Sequence, residues 1–288
     1  MILVSVLFGL TSMLGFGFSN AYSKPLAQEF GPSRFIFYRE LILSVVLGVA
    51  ALPSYSQAVD HWDVAALAVG LGVAGYVPFL AFIHGIRRSP LGVVAPIAAA
   101  SPLITVLLSF AFLKVAIGQV EWLAIALVVL ANVLVSFEFT DLRRSKLFQL
   151  SSGVPLAMVA VVGWGFFFFF LIALTRALGP WVTAFLSELG VTLAVGIHLL
   201  LTAQKVSWRD LVRFSVISNG LLSCIAILSF TIGVSHFNIG IVAALSHSTA
   251  LISSGLGAVL YQERMQIKEK LGAGIMVIGV AIISFLNH

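Results

Sequence analysis

Charge is what this sequence has least of. Asp, Glu, Lys and Arg make up 9% of its 288 residues, against about 25% in a soluble globular domain. With 60% hydrophobic residues and a mean hydropathy of +1.10, there is too little polar surface to face water on all sides. Cysteine is almost absent. The one copy, Cys224, excludes a disulfide framework within the chain and reads as a small buried residue. The signatures of catalysis are missing as well. There is no Walker A motif, which argues against ATP hydrolysis by this chain. G-x-S-x-G, H-E-x-x-H and carboxylate-rich motifs are absent too, and no cofactor is expected. No basic segment precedes the opening MILVSVLFGL, and the first lysine is Lys24, beyond the first apolar stretch. That argues against a cleaved signal peptide and for a first transmembrane helix.

What is present is a series of apolar stretches long enough to cross a roughly 30 Å hydrocarbon core as helices. The alternating segments of about ten residues that mark a membrane β-barrel do not occur. The sequence predicts an all-α, polytopic membrane protein with ten transmembrane helices, at about 3–22, 33–52, 63–85, 91–113, 121–138, 154–174, 181–202, 212–234, 240–260 and 270–287. EFGPSR at 29–34 and ALGP at 177–180 are Gly-Pro entries, with proline near a first helical turn where its missing N–H costs little. The longest polar stretch, FEFTDLRRSKLFQLSSG at 137–153, reads as a mid-chain linker.

The chain lines up with itself without a gap when Gly15 is laid on Gly163. Gly17 then meets Gly165, Gly31-Pro32 meets Gly179-Pro180, Glu40 meets Glu188, Gly48 meets Gly196, Phe82 meets Phe230 and Gly85 meets Gly233. This predicts two five-helix repeats, residues 1–138 and 154–288, joined by a linker at 139–153. An odd number of spans per repeat forces opposite orientations in the bilayer, the inverted-repeat design of secondary transporters. Charge tests this independently. The odd-numbered connections hold Lys24, Arg34, Arg87, Arg88, Arg143, Arg144, Lys146, Lys205, Arg209, Arg213, Arg264, Lys268 and Lys270; the even ones hold Lys114 and Arg176. The bias places the odd loops in the cytoplasm and both termini outside.

The helix pairs at 84–137 and 233–285, with the five-plus-five repeat, resemble the EamA-type family of the drug/metabolite transporter superfamily. They carry its pattern of small-residue turn, small-residue helix, acidic loop and Gly-rich helix; the acidic residue is Glu263 in the second half, while the first half reads Lys114-Val115 instead. The orientation is a second departure, since many members of that family are thought to keep both termini in the cytoplasm. The resemblance implies an alternating-access carrier for small metabolites, often an exporter, in a bacterial inner membrane. Its cavity would lie mid-bilayer, lined mainly by spans one, three, four, six, eight and nine.

Ionisable and polar groups inside a membrane are costly and usually face a cavity or each other. The segment AALSHSTALISSG at 243–255 therefore stands out. His247 lies near the middle of span nine with Ser246 and Thr249 beside it, and an imidazole can bind an anionic group or carry a proton near neutral pH. Glu188 is a candidate proton carrier in span seven. Its repeat mate Glu40 is a further proton-coupling candidate, expected near the membrane surface and paired with Arg39 or Arg34. Asn20, Tyr76, Ser101, Asn219 and Ser223 are candidate lining residues, and Trp164 with the following phenylalanines a candidate aromatic wall. GAGIMVIG at 272–279 reads as close helix packing, within the chain or in a homodimer. The expected partners are a small-molecule substrate and the lipid bilayer, with no nucleic acid. A passive channel and an intramembrane enzyme acting on a lipid-like substrate are the competing classes. Few mid-span charges weigh against a charged-ring pore, and the missing motifs weigh against an enzyme.

Overall fold

The computed structural model describes residues 2–89, 91–98, 100–113, 118, 122–123, 126–127, 130, 152–246, 248–260, 271–272, 274–275 and 278. Among them, all regular structure is helical. The long elements are α1 (Ile2–Phe30), α2 (Pro32–Ala51), α3 (Trp62–Arg88), α4 (Leu91–Ala98), α5 (Ser101–Leu113), α6 (Val154–Leu201), α7 (Phe214–His236), α8 (Ile239–Ser246) and α9 (Thr249–Leu260). Five helical stretches among the described residues are long and apolar enough to cross a membrane, and one of them, α6, has 48 residues. The protein is a multi-pass membrane protein. Expected spans five and ten, the linker and Glu263 fall wholly or largely outside the described residues.

The two Gly-Pro entries behave alike. Gly31 sits at φ 83° between α1 and α2, and its repeat mate Gly179 sits at φ 70° inside α6. Both lie in the left-handed region that a β-carbon disfavours and glycine does not. Gly179 thus divides α6 into the two expected spans, and Pro180 restarts the helix. The Thr183 hydroxyl donates to the Gly179 carbonyl, one turn back, at 2.7 Å.

Spans four and nine differ from expectation. Each was expected as one continuous helix, and each is two: α4 gives way to α5 between Ala98 and Ser101, and α8 to α9 between Ser246 and Thr249. These points are repeat mates. The Ala100 N–H bonds to the Ile97 carbonyl and the Ser248 N–H to the Leu245 carbonyl, both at 3.0 Å and both three residues back, a tightened turn in place of α-helical bonding. Runs of small or hydroxylic residues (AAAS, SHST) mark both places in the sequence, but apolar length alone hides them.

The repeats pack with two-fold symmetry. A β-carbon on Gly17 would meet Ile252 Cβ at 2.5 Å, and one on its mate Gly165 would meet Ile104 Cβ at 2.5 Å. Gly15 lies against Ala226 as Gly163 lies against Pro78; Gly48 lies against Phe185 as Gly196 lies against Phe37. In each case the partners swap between repeats, as an isologous two-fold contact requires. Ser44 and Thr192, 148 residues apart and each other's mates, share a hydrogen bond of 2.8 Å. They mark the axis, where α2 meets the second half of α6.

Polarity is inside out. On α2, Val45, Val49 and Leu52 at its end are exposed, while Arg39, Glu40 and Ser44 are buried. On α6, Phe166 and Phe170 point outward, and Phe167 and Phe168 inward. An outward apolar surface is stable against lipid, and the polar groups gather where helices meet. Many buried hydroxyls are satisfied within their own helix, as in Thr175 to the Leu171 carbonyl (2.7 Å) and Thr231 to the Ile227 carbonyl (3.0 Å).

Candidate substrate cavity

Eight of the helices converge on a cavity of about 760 Å³ of atom-free space, counted out to its open side. It lies on the two-fold axis. Its lining includes the mates Phe16 and Trp164, Asn20 and Phe168, Glu40 and Glu188, Phe79 and Ile227, and Ser101 and Thr249. The mates differ in chemistry. The first repeat supplies Asn20 and Arg39 where the second supplies Phe168 and, away from the lining, Ser187. One pole is therefore polar and ionic. The opposite wall is aromatic, built from Trp164, Phe167 and Phe168, with the Phe82 ring tilted at 49° to Trp164 and 5.1 Å away.

The ionic pole is a short network. Glu40 is fully buried, and one of its oxygens, Oε1, accepts a hydrogen bond from Arg39 Nη1. Arg39 Nε donates to Ser223 Oγ at 2.9 Å, and the guanidinium carbon lies 4.6 Å from the centre of the Phe79 ring. Behind it, Ser223 Oγ also contacts Ser19 Oγ at 2.8 Å, and the Asn219 amide donates to the Ser19 carbonyl at 2.8 Å. Glu188 comes within interaction range of both Glu40 and Arg39. The other Glu40 oxygen, Oε2, has no hydrogen-bond partner among the described residues.

A family model for EamA-like transporters matches residues 3–137 and again 151–285. The chain belongs to the EamA-like transporter family, within the drug/metabolite transporter superfamily. No curated protein matches it. A crystal structure described only as that of a protein covers 98% of this chain and 96% of its own, with a TM-score of 0.73 and 18% identity, a likeness of fold alone.

Within this EamA-like fold, Asn20, Ser101, Trp164, Thr249, Glu40 and Glu188 all line the cavity. Asn219 and Ser223 do not touch it; they brace Arg39 from behind. Tyr76 points elsewhere, its hydroxyl 2.8 Å from His198 Nδ1 and 3.5 Å from Ser33 Oγ, while its neighbour Gly75 does the lining. Ser246 is fully buried, and its Oγ has no partner among the described residues. His247 lies outside the described residues. Glu40 pairs with Arg39 as expected, but away from the surface: α2 begins at Pro32 and carries it two turns inward, where it is fully buried. Spans two and seven therefore contribute as much as those the family resemblance implied. Sequence reading missed Arg39, Phe16, Phe79 and Phe82 as lining residues. For Arg39 a signal existed: Glu188, the mate of its neighbour, lies mid-span, so Arg39 lies at that depth too.

Proposed function

We propose that this chain is a secondary transporter that moves a small metabolite, an amino acid, amine or related solute, out of the cell by alternating access, with proton coupling or exchange. The cavity on the axis between the repeats supports this reading. Two inverted copies around one site can exchange conformations, opening it to each side in turn. The ionic pole supports binding over free passage, since a channel must release what it conducts. Counterflow in proteoliposomes, with labelled metabolites and an imposed pH gradient, tests it. Saturable, trans-stimulated flux is expected; flux linear in concentration would favour a channel.

The proposed repeats run over 1–138 and 154–288, with odd-numbered loops in the cytoplasm. Reporters fused to either end are expected to locate outside, and a cytoplasmic C-terminus would overturn this orientation. His247 is proposed as a substrate or proton ligand with Ser246 and Thr249. His247→Ala is expected to abolish flux or shift its pH profile while the protein still inserts and folds. Wild-type flux at every pH would remove His247 from the site.

A further inference from the structure

The ionic pole does not balance. With both carboxyls ionised, Arg39, Glu40 and Glu188 carry one net negative charge in a buried site, where an uncompensated charge costs several kcal/mol. Arg39 is already committed: Nη1 to Glu40, Nε to Ser223 and one guanidinium face to Phe79. Three of its five N–H groups have no partner among the described residues, but its charge is already matched by one carboxylate, so the pole as a whole calls for a cation. The acceptors for that cation lie on the acids, at the fully buried and unpartnered Glu40 Oε2 and at Glu188 facing it across the axis. The helix faces are fixed one turn further along by the Ser44–Thr192 hydrogen bond at 2.8 Å.

We infer that the Glu40–Glu188 pair binds one monovalent cationic group at a time, a proton in the empty cavity and the ammonium head of an organic substrate in the loaded one. The inference rests on the carrier reading and names its substrate class, a primary amine with an apolar or aromatic tail. In the empty state a proton between the carboxyls restores neutrality and turns their repulsion into a hydrogen bond. In the loaded state an ammonium occupies the same space and donates to Glu40 Oε2 and Glu188. The tail lies against Trp164, Phe167 and Phe168, whose ring faces favour a nearby cation. An alkali ion fits less well, since it asks for a cage of oxygens that an aromatic wall does not supply. A dication overshoots the charge. Mutual exclusion at one pair of acids yields exchange of one proton per amine with no further device. Among the described residues, the ionisable groups that interact with Glu188 are Arg39, Glu40 and the Cys224 thiol.

The test uses the full chain in detergent, 2-phenylethylammonium as the probe, and a pH dye in weak buffer beside calorimetry. About one proton is expected to leave per amine bound, and affinity is expected to weaken about tenfold per pH unit on acidification. Glu188→Gln is expected to lose both the release and the pH dependence. Amine binding without proton release, no binding of the amine at all, or unchanged release in Glu188→Gln would each overturn the inference. If that variant fails to fold, the wild-type titration still decides. Saturable counterflow of a metabolite with no proton-linked amine binding would sink this site and leave the carrier. Proton-linked binding in a protein that gives no saturable flux would sink the carrier and leave the site.

Discussion

Arg39→Leu is expected to destabilise the protein by about 3–5 kcal/mol and to alter proton-linked amine binding at the acids it leaves unmatched. The effect comes less from a lost attraction than from what is left behind. Glu40 is fully buried, and Arg39 is its ion-pair partner. Without the guanidinium, two carboxyls face each other with no cation among the described residues, and Ser223 loses the group it accepts from. The double variant Arg39→Leu, Glu40→Gln removes the stranded charge along with its partner and is expected to recover most of the stability. It is not expected to recover wild-type binding. Thermal unfolding in mild detergent measures the first effect and amine titration the second. If the single variant is as stable as wild type, Arg39 is hydrated and the pole is not a buried one. If the double variant is no better than the single, the cost comes from lost packing on Phe79.

Much of this molecule is legible in its sequence, and for identifiable reasons. Glycine, proline and glutamate are scarce in oily helices, so their recurrence at matched points carried the repeat, and the structure turns those matches into swapped contacts such as Gly17–Ile252 and Gly165–Ile104. Helix breaks at Gly31 and Gly179 were legible because Gly-Pro has a backbone meaning that context rarely overrides. The divided helices at Ala98–Ser101 and Ser246–Thr249 were not, because both halves are apolar and a hydropathy window runs across the join. The site was half legible. Glu188 and Asn20 announced themselves by their cost in lipid. Arg39 did not, because a cation near a helix start reads as an interfacial anchor. Tyr76 and Asn219 led elsewhere because a polar group in a membrane helix has two outlets, a cavity or another side chain, and sequence does not say which. His198 and Ser19 lie on distant segments, and only the fold brings them into reach.

Gly72→Ala is expected to cost about 3 kcal/mol and its mate Gly220→Ala about 1 kcal/mol, although alanine is the better helix former at both. The difference lies in what each new methyl meets. At Gly72 it would come within 1.9 Å of the Ser187 carbonyl oxygen and 2.8 Å of Gly190 Cα, both backbone atoms of α6. Gly190 has the reciprocal constraint, with the Val69 carbonyl oxygen at 2.1 Å. Neither side can yield by turning a rotamer, so α3 and α6 must separate. At Gly220 the nearest atoms are Ile42 Cγ2 and Cβ, at 2.7 and 2.9 Å; Cγ2 can turn away while Cβ moves only with its helix, so the clash is milder than the one at Gly72. The repeats have diverged here: two glycines cross on one side of the axis, a glycine and an isoleucine on the other. The tight crossing bears on the cavity, because the Ser187 carbonyl belongs to the residue before Glu188. Pushing α6 away from α3 shifts Glu188 out of its register with Glu40. Gly72→Ala should therefore lose proton-linked amine binding even at temperatures where it stays folded, whereas Gly220→Ala should keep it. Parallel thermal melts and proton-release titrations of the two variants check both parts. Equal losses would mean that the two crossings are equally close and that this asymmetry does not position the acid.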